Sequence, residues 1–165
     1  MEPEPLPEVS ASEVIGLLEY LDDQHGKEDI YKLAEAIQYE SGELLSIIKM
    51  AEMLRFAETP GGDVVILDLG KKLIKSKIGQ RKLMIRDQLK KLELIQRLIG
   101  ALQKSEEGRL DRESTLEELS RFLPHENIEG LFKTIVNWGR YAELLGYNDD
   151  TQTLYLDEES FPSCA

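Results

Sequence analysis

A mainly α-helical fold with two small β-hairpins is predicted by three observations. Apolar residues recur at helical spacing through most of the chain. Two short β-branched or aromatic runs each follow a polar turn, and they occupy matching places in the two halves of the sequence. The 165 residues fit one domain or two small ones, and a hydrophobic content of 41% is enough to build a core.

Residues 1–9, rich in Pro and Glu, read as an extended leader or linker. A first module is expected over 10–70. Ser10 or Ser12 caps a helix whose apolar stripe is Val14, Ile15, Leu17, Leu18 and Leu21, and His25-Gly26 ends it. Glu28 and Asp29 suit the N-terminus of a second helix with Ile30, Leu33, Ala34 and Ile37 inward. Ser41 opens a third, with Leu44, Leu45, Ile47, Ile48, Ala51 and Leu54 facing the core. Pro60-Gly61-Gly62 is turn chemistry before the run Val64 to Leu67, so 56–68 reads as a hairpin.

From Leu69 to about Ser105 the chain reads as helix, broken near Gly79, and 71–105 is assigned as a basic connector helix. Ile78, Ile85, Leu92 and Ile99 recur every seventh residue, with Ile74, Ile95 and Leu102 beside them. Arg81 and Gln88 interrupt the second seam, so this is no clean zipper. Lys75, Lys82, Arg86, Lys90, Arg97 and Lys104 are expected on the opposite side as a cationic stripe.

A second module is expected over 106–157. Gly108-Arg-Leu-Asp leads into a helix through Leu116, Leu119 and Leu123, which Pro124 stops. Asn127 or a neighbour opens a long helix through Leu131, Phe132, Ile135, Val136, Trp138, Leu144 and Leu145, and a hairpin turning at Asn148 to Thr151 follows. Residues 158–165 read as a mobile tail. Leu54-Arg-Phe56 with Val64 to Asp68 parallels Leu145-Gly-Tyr147 with Thr153 to Asp157. Short helices followed by a hairpin are the order of a winged helix-turn-helix. The expected architecture is two winged-helix-like modules joined by a long helix.

Charge divides the chain. Lys+Arg 20 against Asp+Glu 32 gives a net of −12. Residues 1–68 net −12, residues 69–105 net +9 and residues 106–165 net −9. So acidic a chain is poorly suited to wrapping nucleic acid or lying on an anionic membrane. The single cysteine, Cys164, leaves no intramolecular disulfide. No apolar run approaches the roughly 20 residues of a membrane span. The N-terminus carries acid where a signal peptide carries base, so a soluble cytoplasmic protein is expected.

Catalysis finds no foothold in the sequence. Val64 to Asp68 imitates the magnesium-binding strand of P-loop ATPases, but no Gly-x-x-x-x-Gly-Lys-Ser/Thr accompanies it, and Gly70-Lys71-Lys72 lacks the flanking residues. His25 and His125 are far apart, and acid pairs such as Asp22-Asp23, Glu106-Glu107 and Asp149-Asp150 are adjacent rather than convergent. The expectation is a protein that is not an enzyme and holds no cofactor or metal. A DNA-binding transcriptional regulator is the alternative function. Against it, helix 41–54 carries Glu43, Lys49 and Glu52 in a module that would repel the phosphate backbone.

Trp138-Gly139-Arg140-Tyr141 is the densest group of recognition-type residues. Core packing is the favoured reading, with Gly139 permitting close approach and Arg140 stacking or pairing. That block, with Lys27-Glu-Asp-Ile-Tyr-Lys-Leu-Ala34, the stretch Ile47 to Glu58 and Gly79-Gln-Arg-Lys82, resembles the AAA-associated domain at the C-terminus of ABC importer ATP-binding subunits (nitrate/sulfonate/bicarbonate group). The resemblance covers roughly residues 6–157. It implies an accessory, regulatory module beside an ABC transporter ATP-binding subunit, cytoplasmic and at the inner membrane face through the transporter, with no catalytic residues to carry over. Such domains usually follow the ATPase in one polypeptide, so the chain is either an excised fragment or a free-standing version. The mechanism expected is docking, on the ATPase or on a second copy as a homodimer. Ile78, Ile85, Leu92 and Ile99 would bury against the neighbour. Lys75, Lys82, Arg86, Lys90 and Arg97 would meet acid there, with Trp138, Arg140 and Tyr141 as further candidates.

Overall fold

Ser10 opens the first helix through a reciprocal pair of bonds: its side chain accepts from the Glu13 N–H at 3.2 Å, and the Glu13 carboxylate accepts from the Ser10 N–H at 2.9 Å. In the computed structural model, which describes residues 2–37 and 41–157, this is α1 (Ala11–Asp23). The expected tail 158–165, Cys164 and the side chain of Ser41 lie outside the described residues. The fold is mainly helical with two three-stranded antiparallel sheets among the described residues. The chain divides into a first unit, Pro7–Met84, and a second, Met1–Leu6 with Ile85–Ala165.

In the first unit α1 buries Val14, Leu17, Leu18 and Leu21. It stops where His25 and Gly26 take left-handed φ of 62° and 92°, and the Gly26 N–H reaches back to the Leu21 carbonyl at 2.7 Å. A strand not foreseen follows, β1 (Lys27–Asp29), too short and polar to show an alternation. Asp29 then accepts from the N–H groups of Tyr31 and Lys32 as α2 (Ile30–Ile37) starts. Of its expected inner face Leu33 is buried; Ile30, Ala34 and Ile37 are half-buried. Helix α3 (Ser41–Met53) buries Leu44, Ile47, Ile48 and Ala51, but Leu45 falls off the stripe, 55% exposed, and Met50 is buried instead. The hairpin is β2 (Ala57–Glu58) and β3 (Asp63–Ile66), joined through a 3-10 turn at Pro60–Gly62. Strand β3 lies between β1 and β2 with Val64 and Ile66 buried. Asp68 opens α4 (Asp68–Lys75) rather than closing the strand.

The single helix expected over 71–105 is three: α4, α5 (Ile78–Leu89) and α6 (Glu93–Lys104). Ser76 is extended (ψ 156°) and Leu92 is extended (ψ 132°), which ends one helix and caps another. The break expected near Gly79 falls at Ser76 and Lys77, and Gly79 itself lies in the first turn of α5.

In the second unit, α6 buries Leu94, Ile95, Leu98, Ile99 and Leu102. A 3-10 turn at Glu106–Gly108 leads to β4 (Arg109–Asp111), again unforeseen. Asp111 accepts from the Ser114 N–H at 2.7 Å and starts α7 (Arg112–Phe122). Leu123, at φ −138° and ψ 75°, leaves the helical region before Pro124, as its place demands. Asn127 accepts from the Gly130 N–H at 3.3 Å to cap α8 (Ile128–Tyr141). Strands β5 (Leu145–Asn148) and β6 (Thr153–Leu156) flank a turn in which the Asn148 carboxamide accepts from the N–H groups of Asp150 and Thr151.

Both units run helix, strand, helix, helix, strand, strand, and in both the last strand is central, in the orders β1-β3-β2 and β4-β6-β5. The Phe56 N–H bonds the Ala51 carbonyl and the Leu144 N–H the Gly139 carbonyl, each at 2.9 Å. Phe56 in turn accepts from Leu67, and Leu144 from Asp157. Leu144 is therefore the counterpart of Phe56. The sequence comparison, which matched Phe56 to Tyr147, is three residues out because β5 continues further into its hairpin than β2.

Candidate functional site

The basic residues singled out for docking fall on three helices and a link. Lys75 ends α4, Lys82 and Arg86 sit on α5, Lys90 lies in the link after it, and Arg97 and Lys104 belong to α6. The one straight helix that the stripe assumed is interrupted twice. The apolar seam is likewise taken apart. Ile85 is fully buried and Ile99 nearly so, whereas Leu92 is half-buried and Ile78 is 70% exposed. Ile85 and Ile99 are core, and they are occupied at home.

Arg86 is a correction to the cationic stripe, for it is buried and structural. Its Nε donates to the Ala142 carbonyl at 2.8 Å, and its guanidinium lies 3.7 Å from the Glu143 carboxylate. Satisfying a buried carbonyl next to an ion pair gives that arginine a local role. Arg97 pairs with Glu93 at 2.7 Å, one turn away, and its guanidinium lies over the Phe122 ring, 5.7 Å from the centroid.

The Trp138-Gly139-Arg140-Tyr141 block ties α8 to the hairpin after it. Trp138 is buried, as the core reading expects. A Cβ on Gly139 would come within 2.7 Å of Leu145 Cβ, so the close neighbour is the first side chain of β5. Arg140 stays exposed, donates to the Tyr147 carbonyl at 2.6 Å, reaches Asp149 at 3.2 Å and lies over the Tyr147 ring. Tyr147 in turn packs edge-on against Phe132, ring centroids 5.4 Å apart. Tyr141 is half-buried.

The elbow between α4 and α5 is a built feature that the heptad template passed over. Arg81 Nε donates to the carbonyls of Leu73 (3.2 Å) and Ser76 (3.1 Å), and its Nη2 to that of Ile74 (2.7 Å). One guanidinium thus satisfies three carbonyls around the end of α4, and the Ser76 hydroxyl donates to a fourth, that of Lys72, at 2.6 Å. Around this clamp Lys72, Lys75, Lys77 and Ile78 are exposed. The signal in the sequence is the density of basic residues over 71–82, not their spacing.

Two concavities lie in the second unit. One, about 470 Å³, runs beside β6 with Arg109, Thr153 and Tyr155 on its wall. The other, about 570 Å³, lies between α6 and α7 and is lined by Arg97, Lys104, Leu110 and Phe122 among others. Ser105 and Glu118 also line the second, where the Ser105 hydroxyl donates to the Leu102 carbonyl at 2.7 Å and Glu118 pairs with Arg121 at 2.8 Å. Among the described residues no group of three or more His, Cys, Asp or Glu is placed to hold a metal ion. The Asp111 carboxyl is held below the ordinary carboxylate range by the backbone and side-chain hydrogen bonds from Ser114. No described helix is long and apolar enough to cross a membrane.

Set beside known proteins, residues 31–148 match the model of the C-terminal AAA-associated domain, a span from α2 to the end of β5. Neither a curated protein nor a solved structure matches the chain.

Proposed function

Because the chain belongs to the C-terminal AAA-associated domain family, matched over residues 31–148, we propose that it is a non-catalytic accessory domain of an ABC-type ATPase. The finer reading is an importer of the nitrate/sulfonate/bicarbonate group, with the domain regulating or organising the ATP-binding subunit by direct contact on the cytoplasmic side of the membrane. The family match is the observation that carries this proposal. The arrangement of each unit as short helices and a three-stranded sheet agrees with a winged-helix-like adaptor.

The surface available for such contact is smaller than the sequence implied. Of the candidate residues, Lys75, Ile78 and Arg140 are exposed, while Lys82, Lys90, Leu92, Arg97 and Tyr141 are half-buried. Contact through exposed cations weakens as salt rises, because charges further apart than about 8–10 Å are screened at physiological ionic strength. Sedimentation of the chain with the purified ATP-binding subunit across a salt series tests the proposal. A complex that tightens at low salt and changes the ATPase rate is expected, and the same runs read self-association. A salt-indifferent monomer that ignores the ATPase would overturn the reading. The DNA-binding alternative gains no support, since α3 exposes Glu43 and Leu45 alongside Lys49.

A further inference from the structure

Residues 71–82 hold six cations, Lys71, Lys72, Lys75, Lys77, Arg81 and Lys82, and no acidic residue occurs between 69 and 84. This island follows a stretch, 1–68, that nets −12. Arg81 is committed to the three carbonyls of its clamp and so fixes the elbow rather than facing a ligand. Lys72, Lys75 and Lys77 are exposed and have no acidic partner among the described residues. Ile78, next in the chain, is 70% exposed, and Leu83 on the same helix is 44% exposed.

We infer that this elbow docks reversibly on an anionic phospholipid surface, with Ile78 entering the headgroup boundary and Lys72, Lys75 and Lys77 meeting the phosphates. Three observations favour lipid over a protein partner. First, the outward cations are all lysine, and the patch holds no aromatic residue. Protein interfaces deplete lysine at their centres and enrich arginine and aromatics, whereas a diffuse field of phosphates requires only point charge. Second, an apolar side chain beside several lysines is the arrangement in which the alkyl stems follow the apolar residue inward while the ammonium groups stay at phosphate level. Third, the Arg81 clamp orders the elbow in advance, so docking need not pay for ordering a loop. Asp68, one turn before Lys72, is the acid nearest in sequence, and it leaves the island 69–84 strongly cationic despite the chain's net −12. The proposal departs at this one segment from the expectation drawn from net charge, that an anionic membrane is a poor surface for this chain.

The inference moves Lys75 and Ile78 from protein contact to lipid, and it rests on the charge and exposure of the elbow rather than on the family match. The test is pelleting of the full chain with vesicles of phosphatidylcholine, alone or with about one-third phosphatidylglycerol, across a salt series. Binding to the anionic vesicles only, fading as salt rises, is expected. The triple variant Lys72→Glu, Lys75→Glu, Lys77→Glu should lose about a hundredfold in partitioning. Ile78→Ser should lose several-fold, and Ile78→Trp should show a fluorescence blue shift on anionic vesicles against the fixed background of buried Trp138. All these positions are exposed, and unchanged far-UV dichroism and thermal midpoint confirm that the variants fold. No binding, equal binding to neutral vesicles, or a triple variant that binds as the parent does would each overturn the proposal. So would loss of self-association or ATPase binding in that variant while the parent ignores lipid, which would assign the patch to a protein partner.

Discussion

The first unit closes its sheet with backbone and the second with side chains. In the first, α4 approaches so closely that a Cβ on Gly70 would lie 2.4 Å from the Phe56 carbonyl oxygen and 2.9 Å from Ile66. In the second, α8 meets β5 at Gly139 against Leu145, and Arg86 and Arg140 each bond a carbonyl of the chain around them. Element order and strand order are the same in both. Apolar faces and turns are therefore the common requirement, and the polar clamps are local solutions that each copy reached separately.

A methyl group added at each contact glycine breaks the comparison most strongly. Gly70→Ala presses on a backbone oxygen that cannot rotate away, and should destabilise by about 3 kcal/mol. Gly139→Ala presses less closely, on the Leu145 Cβ 2.7 Å away, and should cost about 2 kcal/mol. Urea midpoints measure both, and equal losses would mean that the two contacts are equivalent after all.

A smaller effect tests what the units share. Arg55 and Glu143 hold the same place before the hairpin and both are left-handed, at φ 66° and 54°. Glycine relieves that conformation at some cost in chain entropy, so Arg55→Gly should gain about 0.5–1 kcal/mol, whereas Glu143→Gly also takes the carboxylate from buried Arg86 and should lose stability. A gain in both, read as thermal midpoints, would show that the pair with Arg86 adds nothing.

The smallest effect concerns Asp29 and Asp111, which both end a first strand and accept from the following helix. Asp111 is held below its ordinary acidity, so its contribution is complete above the unfolded carboxyl's value and is lost as pH falls through the lower folded one. Asp111→Asn keeps an acceptor but does not titrate. Its thermal midpoint should fall less steeply than the parent's below about pH 4. Parallel acid limbs would show that the bond from Ser114 does not depend on charge.

Much of this was legible in the sequence, for physical reasons. Ser10, Asn127, Pro124 and the two polar turns act on neighbours, and each does what its type predicts. Strands β1 and β4 escaped notice because three residues paired at a distance leave no local period. Residues 71–105 looked continuous because lysine, leucine and isoleucine fill helices on either side of a break, and the break itself is set by Ser76 and Leu92 turning extended. The docking face was misjudged for a related reason. A seven-residue repeat reports that residues are apolar, not which of them the rest of the chain already covers. The leader, expected to be merely extended, has no regular structure yet buries Leu6 and Val9, since short apolar residues among prolines give no periodic signal.

The Arg81 clamp bears on how the molecule should be taken apart. The hairpin ends near residue 67, and a fragment stopping soon after it would look complete by its strands. That cut removes α4, and a later one between Ser76 and Arg81 leaves the last turn of α4 with its carbonyls turned to solvent and the guanidinium that answered them on the discarded piece. Anyone preparing the first unit alone should carry it through Met84, and should expect a shorter version to fray from its C-terminal edge inward.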